Sequence, residues 1–328
     1  MGTHMGQDSH LTPPLITIAI TCHNAADTIE RAVGSALAQD WPNLEVVVVD
    51  DCSTDGSWAT LKALMRGEER MRVVRHEANR GYPGALNTAI GAARGAFVAI
   101  FDDDDESLPE RVGAQLARIL DYEHEMGPRL VFCYANRNVV KSGQSDHMAR
   151  AIGRQPREPH GQAVADYLFL FSIAADPRFV WGSFGSCTLM ARRESFAAVG
   201  PFDESFRRCA EWDMAVRAAF LGAHFIAVDR PLITQHKTQS GEKSGTMPLK
   251  FALQLNRKHR DFLRARKIYF AARVLAHSRF HGANGRLWRS RAYLVMALIL
   301  GPRLLGAYLR SRTHARTAAR PTTGRLRQ

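Results

Sequence analysis

Two hydrophobic periods alternate along the N-terminal third of the chain. Leu15 to Ile20 (LITIAI) is a short β-branched run, and behind it Ile29, Val33, Ala36 and Leu37 recur at helical spacing after Asp27, a residue able to cap that helix. Leu44 to Val49 (LEVVVV) is nearly continuously apolar, the pattern of a strand covered on both faces of a parallel sheet, and Asp50-Asp51 stands at its carboxyl end. A helix over about Trp58 to Arg66, a strand over Met71 to Arg75, a helix over Gly84 to Arg94 closed by Gly95, and a strand over Phe97 to Phe101 follow. Strict alternation predicts right-handed crossovers into a mostly parallel α/β sheet flanked by helices, with ligands at the carboxyl ends of the strands. Asp50-Asp51 and the run Asp102 to Asp105 both fall there.

Beyond the second acidic run, Ser107 to Glu110 opens another helix, and past Gly143 the pattern loosens. Residues 142–177 mix Gly, Pro, His and Gln around one apolar stretch, Ala163 to Phe171, and read as an insertion or lid carrying a short helix. Phe184 to Ala191 reads as a strand, Arg193 to Val199 as a short helix, Gly200 to Glu204 as a turn, and Cys209 to Leu221 as a helix entered through Glu211-Trp212-Asp213. The division expected is a leading segment, 1–14, without regular structure; a catalytic body, 15–245, with halves 15–140 and 141–245; and a helical tail, 246–328.

Charge marks that last boundary. The chain of 328 residues has a formal net charge of +12 from 44 basic and 32 acidic residues. From Gly245 to Gln328 there are 19 Lys and Arg against a single acid, Asp261, so the tail carries +18 and the body −6. Leu249, Leu253, Phe262, Ile268 and Leu275 recur among those basic residues as amphipathic helices, and Ala292 to Leu300 (AYLVMALIL) is apolar until Gly301-Pro302 interrupts it. That run falls short of the about 18 apolar residues of a spanning helix. Lying in the headgroup layer of an anionic membrane, over 247–309, and packing on the body as a helical hairpin are both open to it; Arg310 to Gln328 is expected to be disordered. Five scattered cysteines without a C-x-x-C pair fit a reducing cytoplasm, and no signal sequence opens the chain.

Four consecutive carboxylates after a buried strand call for a cation. Hard divalent ions, Mg²⁺ or Mn²⁺, bridge carboxylate oxygens to a substrate's phosphates, while a helix N-terminus also welcomes anions. Asp51, at a strand tip, suits a ligand's base or ribose. Asn79-Arg80-Gly81 with Gly84 to Asn87 offers a loop, a helix N-terminus and a guanidinium for a diphosphate. Neither G-x-G-x-x-G nor G-x-x-x-x-G-K-[ST] occurs, so a metal would hold the phosphates.

Five elements in order resemble the family 2 inverting glycosyltransferases of the GT-A fold: Ile18 to Asn24 (IAITCHN), Val49 to Ser57 (VDDCSTDGS), Asn79 to Ala89 (NRGYPGALNTA), Phe101 to Arg111 (FDDDDESLPER) and Gly200 to Arg217 (GPFDESFRRCAEWDMAVR). The resemblance covers about Leu15 to Lys237 and implies a GT-A type, Rossmann-like sheet with a basic helical extension. It implies Asp51 on the uracil or ribose of a UDP-sugar, with Thr21, His23 and Asn24 lining the base pocket. Asp102 to Asp104 match the D-x-D signature: Asp104 is implied as the principal metal ligand, Asp102 and Asp103 toward the nucleotide sugar, and Asp102 and His236 beside the Mn²⁺ or Mg²⁺ ion. Glu211 aligns with the general base. Two positions depart from the family pattern. Ala210-Glu211 stands where Glu-Asp is usual, which leaves Asp213 as a rival base, and Thr21 and His23 replace a proline and a tyrosine.

The activity implied is transfer of a sugar from a UDP-sugar to a hydroxyl of a glycan or lipid-linked acceptor in bacterial envelope polysaccharide synthesis, on the inner face of the plasma membrane. Two other classes compete. A sugar nucleotidyltransferase would need a Gly-rich basic loop after the first strand, where Thr21 to Ala26 (TCHNAA) stands; a nucleic-acid-binding protein would need stacking aromatics or zinc spacing in the tail, so no nucleic acid is expected as partner.

Overall fold

The apolar runs of the N-terminal third become β1 (Ile16–Cys22), β2 (Leu44–Asp50), β3 (Met71–Arg75) and β4 (Phe97–Asp102), which pair in parallel in the order β3-β2-β1-β4. Every residue of β1 and β2 is buried, as strands covered on both faces must be. The computed structural model describes residues 12–127, 129–141, 143–155, 158–170, 182–237 and 246–318. The expectations for residues 1–11, for residues 171–177 of the lid and for 319–328 lie outside the described residues.

Among the described residues the sheet has nine strands, and it continues past β4 in mixed directions. β8 (Met190–Arg192) runs antiparallel to both β4 and β6 (Val131–Lys141), β9 (His224–His236) runs parallel to β6, and the short β5 (Glu106–Ser107) closes the edge; β7 (Gln144–Ala149) forms a hairpin with β6. The periodicity did not reveal β6 or β9. In β6, Asn136-Arg137-Asn138 interrupts the apolar pattern, yet Asn136 is buried with Oδ1 accepting from Ala151 N at 2.9 Å and Nδ2 donating to Asp229 Oδ1 at 2.7 Å. Asp229-Arg230-Pro231 reads as a turn but is a register shift inside β9. The strand expected over Phe184 to Ala191 is corrected to a single 3₁₀ turn, Ser186–Thr188, followed by β8.

Helices cover both faces. α1 (Ile29–Leu37), α2 (Ser57–Leu64) and α4 (Arg111–Met126) bury Val33, Leu61 and Ile119 in a core with Ile18, Val46 and Ala99. Thr28, not Asp27, stands at the N-cap of α1. On the other face α3 (Gly81–Ala92), α5 (Gln162–Leu170), α6 (Arg193–Val199) and α7 (Ala210–Phe220) pack on Ala19, Val47, Ile100 and Phe132. Gly95, between α3 and β4, lies so close to β1 that a Cβ would meet Thr17 N at 2.7 Å and Leu15 O at 2.8 Å. Only glycine fits that approach.

The tail forms α8 (Met247–Lys258), α9 (Arg260–Ala265), α10 (Tyr269–Ala283), α11 (Leu287–Leu300) and α12 (Pro302–Ala318). Phe251, Leu255, Leu263, Leu275 and Leu304 join the same core as α3, α5 and α7, so these helices pack on the body. α11 is the exception: Ala297 is its one buried residue, while Trp288 is 70% and Ile299 76% exposed. No helix among the described residues is long and apolar enough to cross a membrane.

Candidate active site

Because β1, β2 and β4 run parallel, their carboxyl ends converge on one edge, and a cleft of about 510 Å³ opens there. Thr21, Cys22 and His23 line it from β1, Asp51 from β2, Tyr82 and Ala85 from α3, Asp102 to Asp104 from β4, and Arg207 from the approach to α7. The loop ends are tied together. His23 N donates to Asp103 Oδ2 at 3.0 Å, and His23 Nδ1 and Asn79 Nδ2 lie 2.9 and 3.3 Å from the carbonyl oxygen of Asp51. The carboxylate of Asp51 is fixed through one oxygen: Oδ1 accepts from Arg80 N at 2.8 Å and lies 2.7 Å from His76 Nδ1, whose Nε2 is 2.9 Å from Thr88 Oγ1. His76 and Thr88 carried no signal in the sequence.

The acids at the end of β4 are crowded, with Asp102 to Asp104 half-buried and Asp105 buried. Burial first, then the charges of Asp104 and Glu211, push the Asp102 carboxyl up to about 7; burial, then Asp102 and Asp104, push Asp105 up to about 8. Burial also raises Asp103 to about 7, against the hydrogen bond from His23 N. Two cations, Arg111 and Arg137, oppose this charge. Arg111, fully buried at the start of α4, donates from Nη2 to Ile100 O at 2.7 Å and lies over the Phe101 ring at 5.3 Å; Arg137 of β6 donates to Gln235 Oε1 at 2.8 Å and to Ser183 Oγ at 3.1 Å. Burial lowers the Arg111 pKa to about 10, with Asp102 and Asp105 among the charges that resist the fall. Even so, Asp102 Oδ1 and Asp105 Oδ2 are buried without a hydrogen-bond partner. With Cys187 they offer ligand atoms within 4.8 Å of one another. Burial holds the Cys187 thiol well above its ordinary pKa, so the ligand set that remains is carboxylate oxygen, suited to a hard divalent ion. His236 joins from the end of β9: its N–H donates to Asp105 Oδ1 at 3.1 Å, and its ring Nε2 meets Glu106 Oε1 at 2.6 Å.

α7 brings the two rival bases into different surroundings. Glu211 is held above its ordinary pKa by burial, with Arg208 and Arg137 opposing, and its charge in turn raises Asp102, Tyr82 and Tyr134. It therefore stands beside the acid cluster and the cleft. Asp213 has no exposure, and its oxygens are taken by Arg217 Nε at 2.9 Å, Lys258 Nζ at 2.9 Å and His259 Nε2 at 2.9 Å. Those bonds outweigh burial and hold it at about 2. Asp213 is a link between α7 and α8.

Of the expected residues, Thr21, His23, Asp51, Asp102, Asp103 and Asp104 line one cleft. Asn24 and Arg80 do not line it. Asn24, at φ 52°, accepts from Thr54 N at 2.9 Å and shapes the turn behind the cleft; the Arg80 guanidinium pairs with Glu204 at 2.6 Å. Arg207 is the arginine that lines the cleft.

A parallel sheet with such a cleft and a carboxylate cluster at the end of β4 defines a GT-A type of glycosyltransferase fold. The chain belongs to Glycosyl transferase family 2, whose profile matches residues 17–181, half of its length. Over 105 residues it is 45% identical to "Succinoglycan biosynthesis protein ExoO" of Rhizobium meliloti (strain 1021), covering 32% of this chain and 30% of that protein. Over 153 residues it is 28% identical to the "UDP-Glc:alpha-D-GlcNAc-diphosphoundecaprenol beta-1,3-glucosyltransferase WfaP" of Escherichia coli, covering 47% and 56%. The matched part thus spans about a third to just over half the length of these relatives. Among solved structures, the mannosyltransferase PcManGT of Pyrobaculum calidifontis, in complex with GDP-Man and Mn²⁺, superposes with a TM-score of 0.55 over 95% of this chain and 82% of that one, at 21% identity.

Proposed function

We propose that this chain is an inverting glycosyltransferase that moves a sugar from a UDP-sugar to a hydroxyl of a lipid-linked or glycan acceptor in bacterial envelope polysaccharide synthesis. The observation that carries the reading is the pair of buried, unpartnered carboxylate oxygens of Asp102 and Asp105 at the mouth of a nucleotide-sized cleft, with the Glu211 carboxyl beside them. The named activity of WfaP supports the donor and the acceptor class. Family membership disfavours the nucleotidyltransferase and nucleic-acid alternatives.

Asp51, held by Arg80 N and His76, receives the base or ribose of the nucleotide, and Thr21 and His23 wall its pocket. Asp103 sets that wall by fixing His23 N. Asp104, Asp102 and Asp105 are the residues to hold a divalent ion, Mn²⁺ or Mg²⁺, with His236 anchoring Asp105 from the side. When bound, such an ion acts as a Lewis acid that neutralises the leaving diphosphate. Glu211 accepts the acceptor hydroxyl's proton as that oxygen bonds to the anomeric carbon, on the face opposite the breaking bond to the diphosphate. A buried carboxylate with a raised pKa is suited to that step.

α11 lies on an anionic membrane in this reading. Its exposed Trp288, Val295, Leu298 and Ile299 enter the headgroup layer, and Arg286, Arg289, Arg291 and Arg303 meet the lipid phosphates, placing the enzyme on the cytoplasmic face.

Calorimetric titration with UDP, with and without Mn²⁺, tests the donor assignment. Metal-dependent binding that Asp104→Ala abolishes is expected. Binding of GDP or dTDP in place of UDP would change the donor, and binding of none of the three would overturn the reading.

A further inference from the structure

Residues 103–105, between β4 and β5, belong to no strand, so the direction of their carboxylates has to be fixed from outside the acid run. α1 supplies a hold. Arg31, Ser35 and Gln39 follow one another at four-residue intervals and therefore share one side of that helix and its end. Gln39 Nε2 donates to Ser107 Oγ at 3.1 Å and to Leu108 O at 2.9 Å, and its Oε1 accepts from Val112 N at 3.1 Å. Ser35 Oγ accepts from Ser107 N at 3.0 Å. Arg31 Nη2 donates to Asp104 O at 2.7 Å, and Arg31 Nε lies 3.4 Å from Glu106 Oε1. This polar stripe follows the chain from the start of α4 back to the acids, and Arg31 is its end at Asp104.

We propose that Arg31 and Glu106 form, with His236, a brace that aims the Asp104 and Asp105 carboxylates at the divalent ion. Both are positioning residues for metal binding, acting through the aspartates and not as ligands. The inference rests on the reading of Asp104, Asp102 and Asp105 as the residues that hold the ion. The first argument is that the brace touches three consecutive residues. Arg31 holds Asp104 by its carbonyl oxygen, the His236 N–H holds Asp105 by Oδ1 at 3.1 Å, and Glu106 is held by both Arg31 Nε and His236 Nε2, the latter at 2.6 Å. A fixed Asp104 carbonyl fixes the peptide plane between Asp104 and Asp105, and with it the direction in which both side chains leave the backbone.

The second argument is which atoms remain. His236 N takes Asp105 Oδ1, and the other oxygen, Oδ2, is buried without a hydrogen-bond partner, as is Asp102 Oδ1. An ionised carboxylate only accepts, so the His236 Nε2 bonded to Glu106 carries a proton, and the ring is committed to the brace. Among the described residues the group of ligand atoms within 4.8 Å of one another is Asp102, Asp105 and Cys187, without His236. The third argument is what stability does not require. Arg31 and Glu106 have side chains 39% and 41% exposed, where an ion pair contributes little, and β5 is already paired to β9 through Glu106 with Thr234 and Ser107 with Ile233. Outer partners of this kind change metal affinity where they change stability little.

The test titrates the full chain with Mn²⁺, reading free ion by electron paramagnetic resonance, first without nucleotide and then with UDP. Arg31→Met and Glu106→Gln are each expected to weaken Mn²⁺ binding by about 10- to 100-fold. The double variant is expected to lose no more than the worse single one, because the two side chains act as one unit. UDP affinity at Mn²⁺ concentrations that saturate each variant, and the urea midpoint, are expected to match wild type; a merely structural role would move both. Mn²⁺ affinity within about twofold of wild type in both single variants overturns the brace, as do additive losses or UDP binding that saturating Mn²⁺ does not restore. Wild type that binds UDP but no Mn²⁺ sinks the ion reading and the brace with it, whereas wild type that binds Mn²⁺ no better than its variants sinks the brace alone.

Discussion

Glu211 and Asp213, two residues apart in the first turn of α7, face opposite sides of that helix: one stands beside the acid cluster, the other is locked to Lys258 and His259 of the tail. Two helical positions separate side chains by about 200°. One short segment therefore carries a carboxyl beside the acid cluster on one face and its own anchor on the other, and the two carboxylates have opposite pKa directions for that reason.

Glu211→Gln keeps the shape of the side chain and removes the proton acceptor. The turnover number is expected to fall by about 100- to 10,000-fold with little change in UDP affinity, measured by steady-state kinetics alongside calorimetry. Asp213→Asn should not reproduce that pattern, and an equal loss at both positions would sink the assignment.

Asp213→Ala takes the shared carboxylate from Arg217 and His259 and leaves Lys258 with Asp203 alone. The expected loss is about 3 to 5 kcal/mol of unfolding free energy in urea, the usual result of removing one partner of a buried ion cluster. A loss under 1 kcal/mol would show that the cluster contributes nothing to holding α8 on α7.

His224 gives stability a pH dependence of known sign. Burial, then His160 and Arg129, lower its pKa to about 4, and its Nδ1 lies 2.8 Å from Tyr122 Oη with the His160 ring stacked at 4.7 Å. The unfolded chain takes up this proton near pH about 6.5. The contribution is therefore complete above that pH and is lost as pH falls toward 4. Wild type should lose its stability advantage over His224→Asn between pH about 7 and 5 in urea titrations. A constant difference would refute the account.

Sedimentation with phosphatidylglycerol vesicles tests α11. Wild type is expected to sediment at low salt, and Trp288→Glu with Ile299→Glu to remain in solution, because both exposed side chains would have to carry charge into the headgroup layer. Equal sedimentation of both proteins would move the contact elsewhere.

The parallel half of the sheet was legible because its strands are buried on both faces and write that burial as unbroken apolar runs such as Leu44 to Val49. β6 and β9 were not, since buried polar residues such as Asn136 are satisfied by partners far along the chain, which local periodicity cannot show. The cleft followed the same rule. Asp51 and the Asp102 run were marked by their place at strand ends, whereas His76 and Arg137 reach the acids from other elements without a motif. The pairing of Arg80 with Glu204, 124 residues further on, was not legible either. The resemblance aligned Glu211 with the base and left Asp213 as a rival, and the partners that set Asp213 apart, Lys258 and His259, lie far along the chain.

The lock between Asp213 and Lys258 also sets how little of this chain can fold as an active piece. A fragment ending with the family match at residue 181 would lack β8 and β9, and one ending before Lys258 would leave a carboxylate with no exposure short of two of its three cationic partners. The smallest self-sufficient catalytic fragment therefore extends at least through His259, so the first tail helix, α8, belongs to the machine and cannot be trimmed as an appendage.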